Sequence, residues 1–248
     1  MPDEVFDDPR LAAIYDALDP DRSDLDAYVA MIEEFGARSV LDLGCGTGVF
    51  ALLLASRGVE VIGVDPAGAS LEVARAKPGA DRVTWIHGDA SAIPAPVVVD
   101  VVTMTANVAQ VFLTDTDWLA ALAAIHAALG PGGRLIFESR DPARRAWEEW
   151  TPELTRSTTD VPGVGHVTEW VQVIDVSDGG ELVTFESPNI FEADGAIITS
   201  RSTLRFRSRA TLEESLHALG FAVDEVRDAP DRPGRELVFI ARRLQPGT

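Results

Sequence analysis

The sequence predicts an α/β protein of the doubly wound kind: a mostly parallel, seven-stranded Rossmann-like sheet, preceded by N-terminal helices and interrupted by an antiparallel β insertion after the fifth strand. Three observations predict it. From Ser39 onward, short Val/Ile/Leu runs alternate with segments of helical period, the pattern of parallel strands joined through helices and buried on both faces. The first of these runs ends in glycines at every second position, Gly44, Gly46 and Gly48. After residue 160 or so the pattern changes to strict alternation around turn-forming residues.

Taken in order, residues 11–18 and 25–35 space their apolar side chains three and four apart and read as amphipathic helices, with Ser23 or Asp24 as N-cap of the second. Residues 40–43, 59–64, 83–87, 97–104 and 134–137 read as the five strands, and 49–57, 69–77 and 118–129 as the helices between them. Residues 164–209 alternate apolar and polar positions about Ser177-Asp178-Gly179-Gly180 and Glu192-Ala193-Asp194-Gly195, which predicts consecutive hairpins. Residues 212–219 form a helix stopped by Gly220, and 222–226 with 237–241 supply the last two strands. The expected organisation is a single domain over 1–248, with a helical cap over 1–37 and a β-rich insertion over about 160–209.

Composition narrows the function. Asp and Glu number 40 against 21 Lys and Arg, a formal charge of −19, and that field repels nucleic acid and anionic lipid. No apolar run approaches the roughly 20 residues of a bilayer span, and the acidic start lacks the basic, apolar pattern of a secretory signal. The expectation is a cytoplasmic protein with no membrane or nucleic-acid partner, acting on a small molecule as a monomer or homodimer. The single Cys45 cannot form an intramolecular disulfide, and His87, His126, His166 and His217 lack metal-ligand spacing, so no metal is expected.

The chemistry is concentrated at three successive strand ends. Glycines at 44, 46 and 48 permit a tight turn with positive φ and let backbone amides approach a ligand. Asp65 closes the next strand, where a carboxylate can accept from ribose hydroxyls, and Asp89 follows the third, where an adenine amine could donate to it. Each carboxylate also has a local reading, as a cap ahead of Ala67 or Ser91. Their coincidence with the glycine turn at consecutive strand ends favours a nucleoside site.

This run, Val40-Leu41-Asp42-Leu43-Gly44-Cys45-Gly46-Thr47-Gly48 with Asp65 and Gly88-Asp89-Ala90, resembles the first three motifs of the class I S-adenosylmethionine-dependent methyltransferases. Val49 stands where the dinucleotide fingerprint wants glycine. The resemblance implies S-adenosylmethionine as cofactor, with Asp42, Gly44, Gly46 and Gly48 around its methionine part, Asp65 on the ribose, and Asp89 with Ala90 at the adenine. It further implies that Tyr15 lies on a helix closing over the methionine end, and that Asn107 and Val108 border cofactor and acceptor.

The acceptor is less legible. Thr105-Ala106-Asn107-Val108-Ala109-Gln110 lacks the Asn-Pro-Pro-Tyr pattern of enzymes that methylate amino groups of bases or glutamine, and Cys45 sits in the glycine turn, which disfavours cysteine attack on a cytosine. The β insertion resembles that of small-molecule methyltransferases, so the expected reaction is methylation of a nitrogen or oxygen of a small metabolite. Arg140, Arg144 and His166 are the candidate substrate residues, the arginines having a solvated helix start as their alternative. Arg201, Arg205, Arg207 and Arg209 read as counterions to acidic neighbours. Because the donor is already activated, orientation worth about 7 to 11 kcal/mol can carry much of the catalysis, against about 100-fold to 10,000-fold for a general base; no catalytic residue is singled out. The competing readings are a nicotinamide-dependent oxidoreductase and a non-catalytic S-adenosylmethionine-binding protein.

Overall fold

The N-terminal segment forms three helices. Proline at the first helical position and Asp8, whose carboxylate accepts from the backbone of Arg10 and Leu11, start the second of them. The computed structural model describes residues 2–245 and places α1 (Glu4–Asp7), α2 (Pro9–Leu18) and α3 (Leu25–Glu34) ahead of the first strand. Residue 1 and residues 246–248, the ends of the expected domain, lie outside the described residues. Asp24 stands at the N-cap of α3 but makes no capping bond, because its carboxylate is taken by Arg22.

The apolar runs become β1 (Ser39–Leu43), β2 (Glu60–Asp65), β3 (Val83–His87), β4 (Val99–Met104) and β5 (Leu129–Arg140), connected by α4 (Val49–Ser56), α5 (Gly68–Ala76) and α6 (Asp115–Ala128). A second sheet follows a short helix α7 (Pro152–Thr155): β6 (Ser157–Val161), β7 (Gly165–Glu169), β8 (Gln172–Ser177), β9 (Leu182–Phe191) and β10 (Ala196–Arg205). The chain returns through α8 (Arg209–Ala218), β11 (Phe221–Asp228) and β12 (Glu236–Arg243). The main sheet has seven strands in the order β11-β12-β5-β4-β1-β2-β3, with β12 antiparallel to both of its neighbours and β1 to β5 parallel.

Alternation along each strand feeds two cores, as the pleat requires. Leu41, Val102, Leu135, Phe137 and Phe239 pack with Trp118, Leu122 and Ile125 of α6 and with Leu212 and Leu216 of α8. Their neighbours Val40, Val101, Ile136, Val238 and Ile240 pack on the other face with Leu25, Val29 and Ile32 of α3 and Phe50 and Leu54 of α4. Of the segment expected as a helical cap, α3 therefore belongs to the helical layer of the sheet. The second sheet instead meets α2: Leu11 and Ile14 bury Val161, Val167 and Phe191.

The two expected turns join β8 to β9 and β9 to β10, and β9 pairs along its length with β10. The second sheet begins at Ser157, ahead of the expected 160, and ends at Arg205. It is tied to the loops that leave the carboxyl ends of the main strands: Arg207 donates to the carbonyls of Phe112 and Thr114 at 2.7 and 3.1 Å, and Gln110 donates to Arg205 O. Arg205 and Arg207 pair with Asp115, Arg205 also with Glu181, and Arg209 with Glu213, which is the counterion role expected of them. Among the described residues no helix is long and apolar enough to cross a membrane.

Candidate functional site: the glycine turn and the strand ends around it

β1 runs buried from Val40 into the glycine turn, and the turn is fastened to β2 by Gly44 N and Cys45 N, which both donate to Val64 O. Gly44, Gly46 and Gly48 have φ of 77°, 53° and 79°, the positive values expected. Two of them do different work. A Cβ at Gly44 would stand 2.4 Å from Val108 Cγ2, so the loop after β4 packs directly on the turn, whereas a Cβ at Gly46 would meet no protein atom within 4 Å. The glycine at 46 therefore faces open space, the arrangement a ligand approaching the backbone needs.

Asp65 lies at the carboxyl end of β2 beside that space, 7% exposed. One oxygen accepts from Gly46 N and the other from Ala67 N, both at 2.7 Å. Burial raises its pKa, opposed by those two backbone N–H groups. Asp89, exposed after β3, accepts from Ser91 N at 2.9 Å and Ser91 Oγ at 2.6 Å through a single oxygen, which lowers its pKa. The local caps read from the sequence are thus both present, and each carboxylate also stands at its expected strand end; Ala90 is buried beside Asp89.

Asp42 is 1% exposed, and Thr103 Oγ1 donates to it at 2.8 Å. Burial pushes its pKa up to about 7, with the charge of Asp65 adding and the Thr103 bond opposing. It lies within β1, two residues before the first glycine of the turn. Tyr15 packs against Phe6 with ring centroids 5.6 Å apart, and burial raises its pKa. The neighbouring Asp16 carries the contact that the sequence reading missed: it accepts from Thr47 Oγ1 at 2.5 Å and pairs with Lys77, whose ammonium also donates to Thr47 O at 2.7 Å. α2 is clamped to the glycine turn by this trio.

Asn107 and Val108 follow β4 as expected, and behind them lies a buried polar cluster with no sequence signature. Asn107 N donates to Glu138 Oε1 at 3.0 Å, Asn107 Nδ2 donates to Glu236 Oε1 at 3.1 Å, and Tyr28 donates to Glu138 Oε2. Arg232 donates to Glu236 at 2.8 Å and Arg140 stands 3.7 Å from it. Burial, then the charge of Glu236, pushes Glu138 up to about 7.

The three candidate substrate residues separate. Arg140 joins this cluster, bonded to Gln110 Oε1 at 3.1 Å and lying over the Trp150 ring. Arg144 is exposed in the turn after β5. His166 is exposed on β7, opposite Asp160 and on the other face of the strand from buried Val167. Among the described residues no group of His, Cys, Asp and Glu is placed to hold a metal.

The open face at Gly46, a buried carboxylate bordering it and excess negative charge at the strand ends fit a cationic adenosyl ligand. Gly44, Gly46 and Gly48 would hold its methionine part, Asp65 its ribose, and Asp89 with Ala90 its adenine. Residues 40–133 match the family model described as "Methyltransferase domain". A cypemycin N-terminal methyltransferase of a Streptomyces species is 34% identical over 170 residues, 68% of this chain, and the chain spans 66% of that relative's length. Among solved structures, the CcbJ methyltransferase from Streptomyces caelestis superposes with a TM-score of 0.75 at 22% identity, covering 95% of this chain and 96% of its own. An S-adenosylmethionine-bound amino pentose methyltransferase from Micromonospora echinaspora gives 0.67 at 22%, covering 91% and 93%. The glycine spacing, the strand-end carboxylates and these matches identify the chain as a member of the class I S-adenosylmethionine-dependent methyltransferases, whose cofactor is S-adenosylmethionine.

Proposed function

We propose that this chain transfers the methyl group of S-adenosylmethionine to a nitrogen or oxygen of a small-molecule acceptor, and that residues 2–245 act as one domain with β6 to β10 covering the acceptor side. The observation that carries this reading is the open space at Gly46, bordered by Asp65, with α2 fastened to the same glycine turn through Asp16, Thr47 and Lys77. The cofactor supplies an activated sulfonium methyl. The chain's part is to hold donor and acceptor in line and to keep water away. Both nitrogen and oxygen stand in the proposal because relatives of each kind match, an N-terminal methyltransferase at 34% identity and a malonyl-[acyl-carrier protein] O-methyltransferase at 26%.

Sheet β6–β10 supports the covering role because it is built onto the loops leaving β4 and β5, where an acceptor would meet the methyl group. Arg140 is the candidate substrate residue best placed for this, held at the edge of that region by Gln110 and Glu236. Arg144 and His166, both exposed, would have to reach the acceptor from the rim.

The test is transfer of label from methyl-tritiated S-adenosylmethionine to a panel of amines and alcohols that includes amino sugars and peptide N-termini. Label transferred to an N- or O-position of a small acceptor is the expected result. Cofactor binding without transfer to any member of a broad panel would favour a non-catalytic binding protein, and absence of cofactor binding would overturn the proposal.

A further inference from the structure

Two consecutive non-glycine residues after β4, Ala106 and Asn107, have φ of 53° and 62°. L-residues avoid this left-handed region, so a pair of them needs outside support. The chain supplies it from Glu138 at the end of β5, 2% exposed, whose Oε1 accepts from Asn107 N at 3.0 Å. The second oxygen of the same carboxyl accepts from Tyr28 of α3, which fixes its orientation. The Asn107 side chain is anchored separately, by Nδ2 on Glu236, whose carboxylate Arg232 neutralises. The turn so held delivers Val108 against the Cα of Gly44, close enough that a Cβ there would stand 2.4 Å from its methyl.

We infer that Glu138 is a positioning residue for the cofactor: latched by Tyr28, its carboxyl holds the left-handed Ala106–Asn107 turn that presses Val108 onto the glycine turn. The inference rests on the reading of that turn as the S-adenosylmethionine site. Glu138 is buried beneath the loop, and its hydrogen-bond partners there are Asn107 N and the Tyr28 hydroxyl. Its action passes through one backbone N–H, and its burial pushes its pKa up to about 7. The carboxyl also joins distant parts of the fold, since Tyr28 lies 110 residues before it.

The experiment measures the affinity of S-adenosylhomocysteine by calorimetry for the wild type, Glu138→Ala, Glu138→Gln and the double variant Ala106→Gly/Glu138→Ala. This product has a neutral sulfur, which removes the sulfonium charge from the comparison, and Glu138→Gln controls for loss of the carboxylate charge near the remaining ammonium. Glu138→Ala should bind about tenfold more weakly, the scale of one unsupported left-handed residue. Glu138→Gln, which still offers an oxygen to Asn107 N and a donor to the Tyr28 oxygen, should retain most of the affinity. Ala106→Gly should recover at least about threefold of the loss in the Glu138→Ala background, because glycine adopts the turn unaided.

A folded Glu138→Ala variant binding within twofold of wild type would overturn the inference. So would a loss that Ala106→Gly leaves untouched, which would mean that the carboxyl acts by another route. If Glu138→Ala fails to fold, Tyr28→Phe carries the same test: the unlatched carboxyl should weaken binding measurably, with recovery by Ala106→Gly, and unchanged affinity would overturn the inference. A wild type that does not bind S-adenosylhomocysteine at all would instead overturn the methyltransferase reading on which the latch depends.

Discussion

The edge of the sheet from β1 to β3 and the region around β4, β5 and sheet β6–β10 share one rim of the molecule but are built on different principles. The first is built chiefly from backbone, with three glycines of positive φ, two N–H groups on Asp65 and amides fastened to Val64, and side chains of Asp16 and Lys77 add a clamp at Thr47. The second is made of side chains reaching across long stretches of sequence, such as Tyr28 to Glu138, Asn107 to Glu236 and Arg207 to Phe112. A site assembled from backbone at strand ends accepts a constant ligand. One assembled from side chains can change its partner without disturbing the sheet.

The largest effect that would sharpen this contrast is expected from Gly46→Val. The side chain would enter the open space where the ligand belongs, and a β-branched residue is strained at this φ. S-adenosylmethionine affinity should fall by about 100-fold or more while circular dichroism shows a folded chain. Unchanged affinity would remove the glycine turn from the site.

The opposite half is probed through Arg207, 4% exposed and bonded to two loop carbonyls and to Asp115. Replacing it with Leu should cost about 2 kcal/mol, the scale of hydrogen bonds to a charged group, and lower Tm by roughly 4–8 °C. Binding of S-adenosylhomocysteine should survive in the folded variant. Its loss in step with the fall in Tm would show that the two halves are not separable.

The smallest effect is electrostatic. Asp42 and Glu138 are both pushed up to about 7, and Asp65 is raised as well, by burial first in each case. Lowering the pH through 7 adds protons to these groups and removes negative charge from the surroundings of a sulfonium. S-adenosylmethionine should therefore bind a few-fold, about threefold, more weakly at pH 6 than at pH 8, and S-adenosylhomocysteine, neutral at sulfur, should change less. Equal pH dependence for the two ligands would show that these carboxyls do not act on the sulfonium.

The same contrast explains what could be read in advance. The succession of strands and helices along the chain, the glycine turn and the carboxylates at 65 and 89 are local in sequence, each read from an apolar run or a residue type at a fixed offset from one. The latch of Tyr28, Glu138, Asn107 and Glu236 has no such offset, its members being 110 and 129 residues apart in the two longest contacts. The clamp of Asp16 on Thr47 and Lys77 was hidden for the same reason, 31 residues separating Asp16 from Thr47. The start of the second sheet was missed because Ser157-Thr158-Thr159-Asp160 is a polar, mostly exposed edge strand and shows no apolar alternation. The four-residue helix α1 was missed because it buries none of its side chains.

The central claim, that the backbone-built edge is an S-adenosylmethionine site, is tested most directly by a crystal structure of the chain with S-adenosylhomocysteine. The account predicts the ribose hydroxyls on Asp65, the adenine beside Asp89 and Ala90, and the homocysteine part over Gly46 beneath α2. A ligand bound elsewhere, or one whose ribose leaves Asp65 untouched, would contradict it.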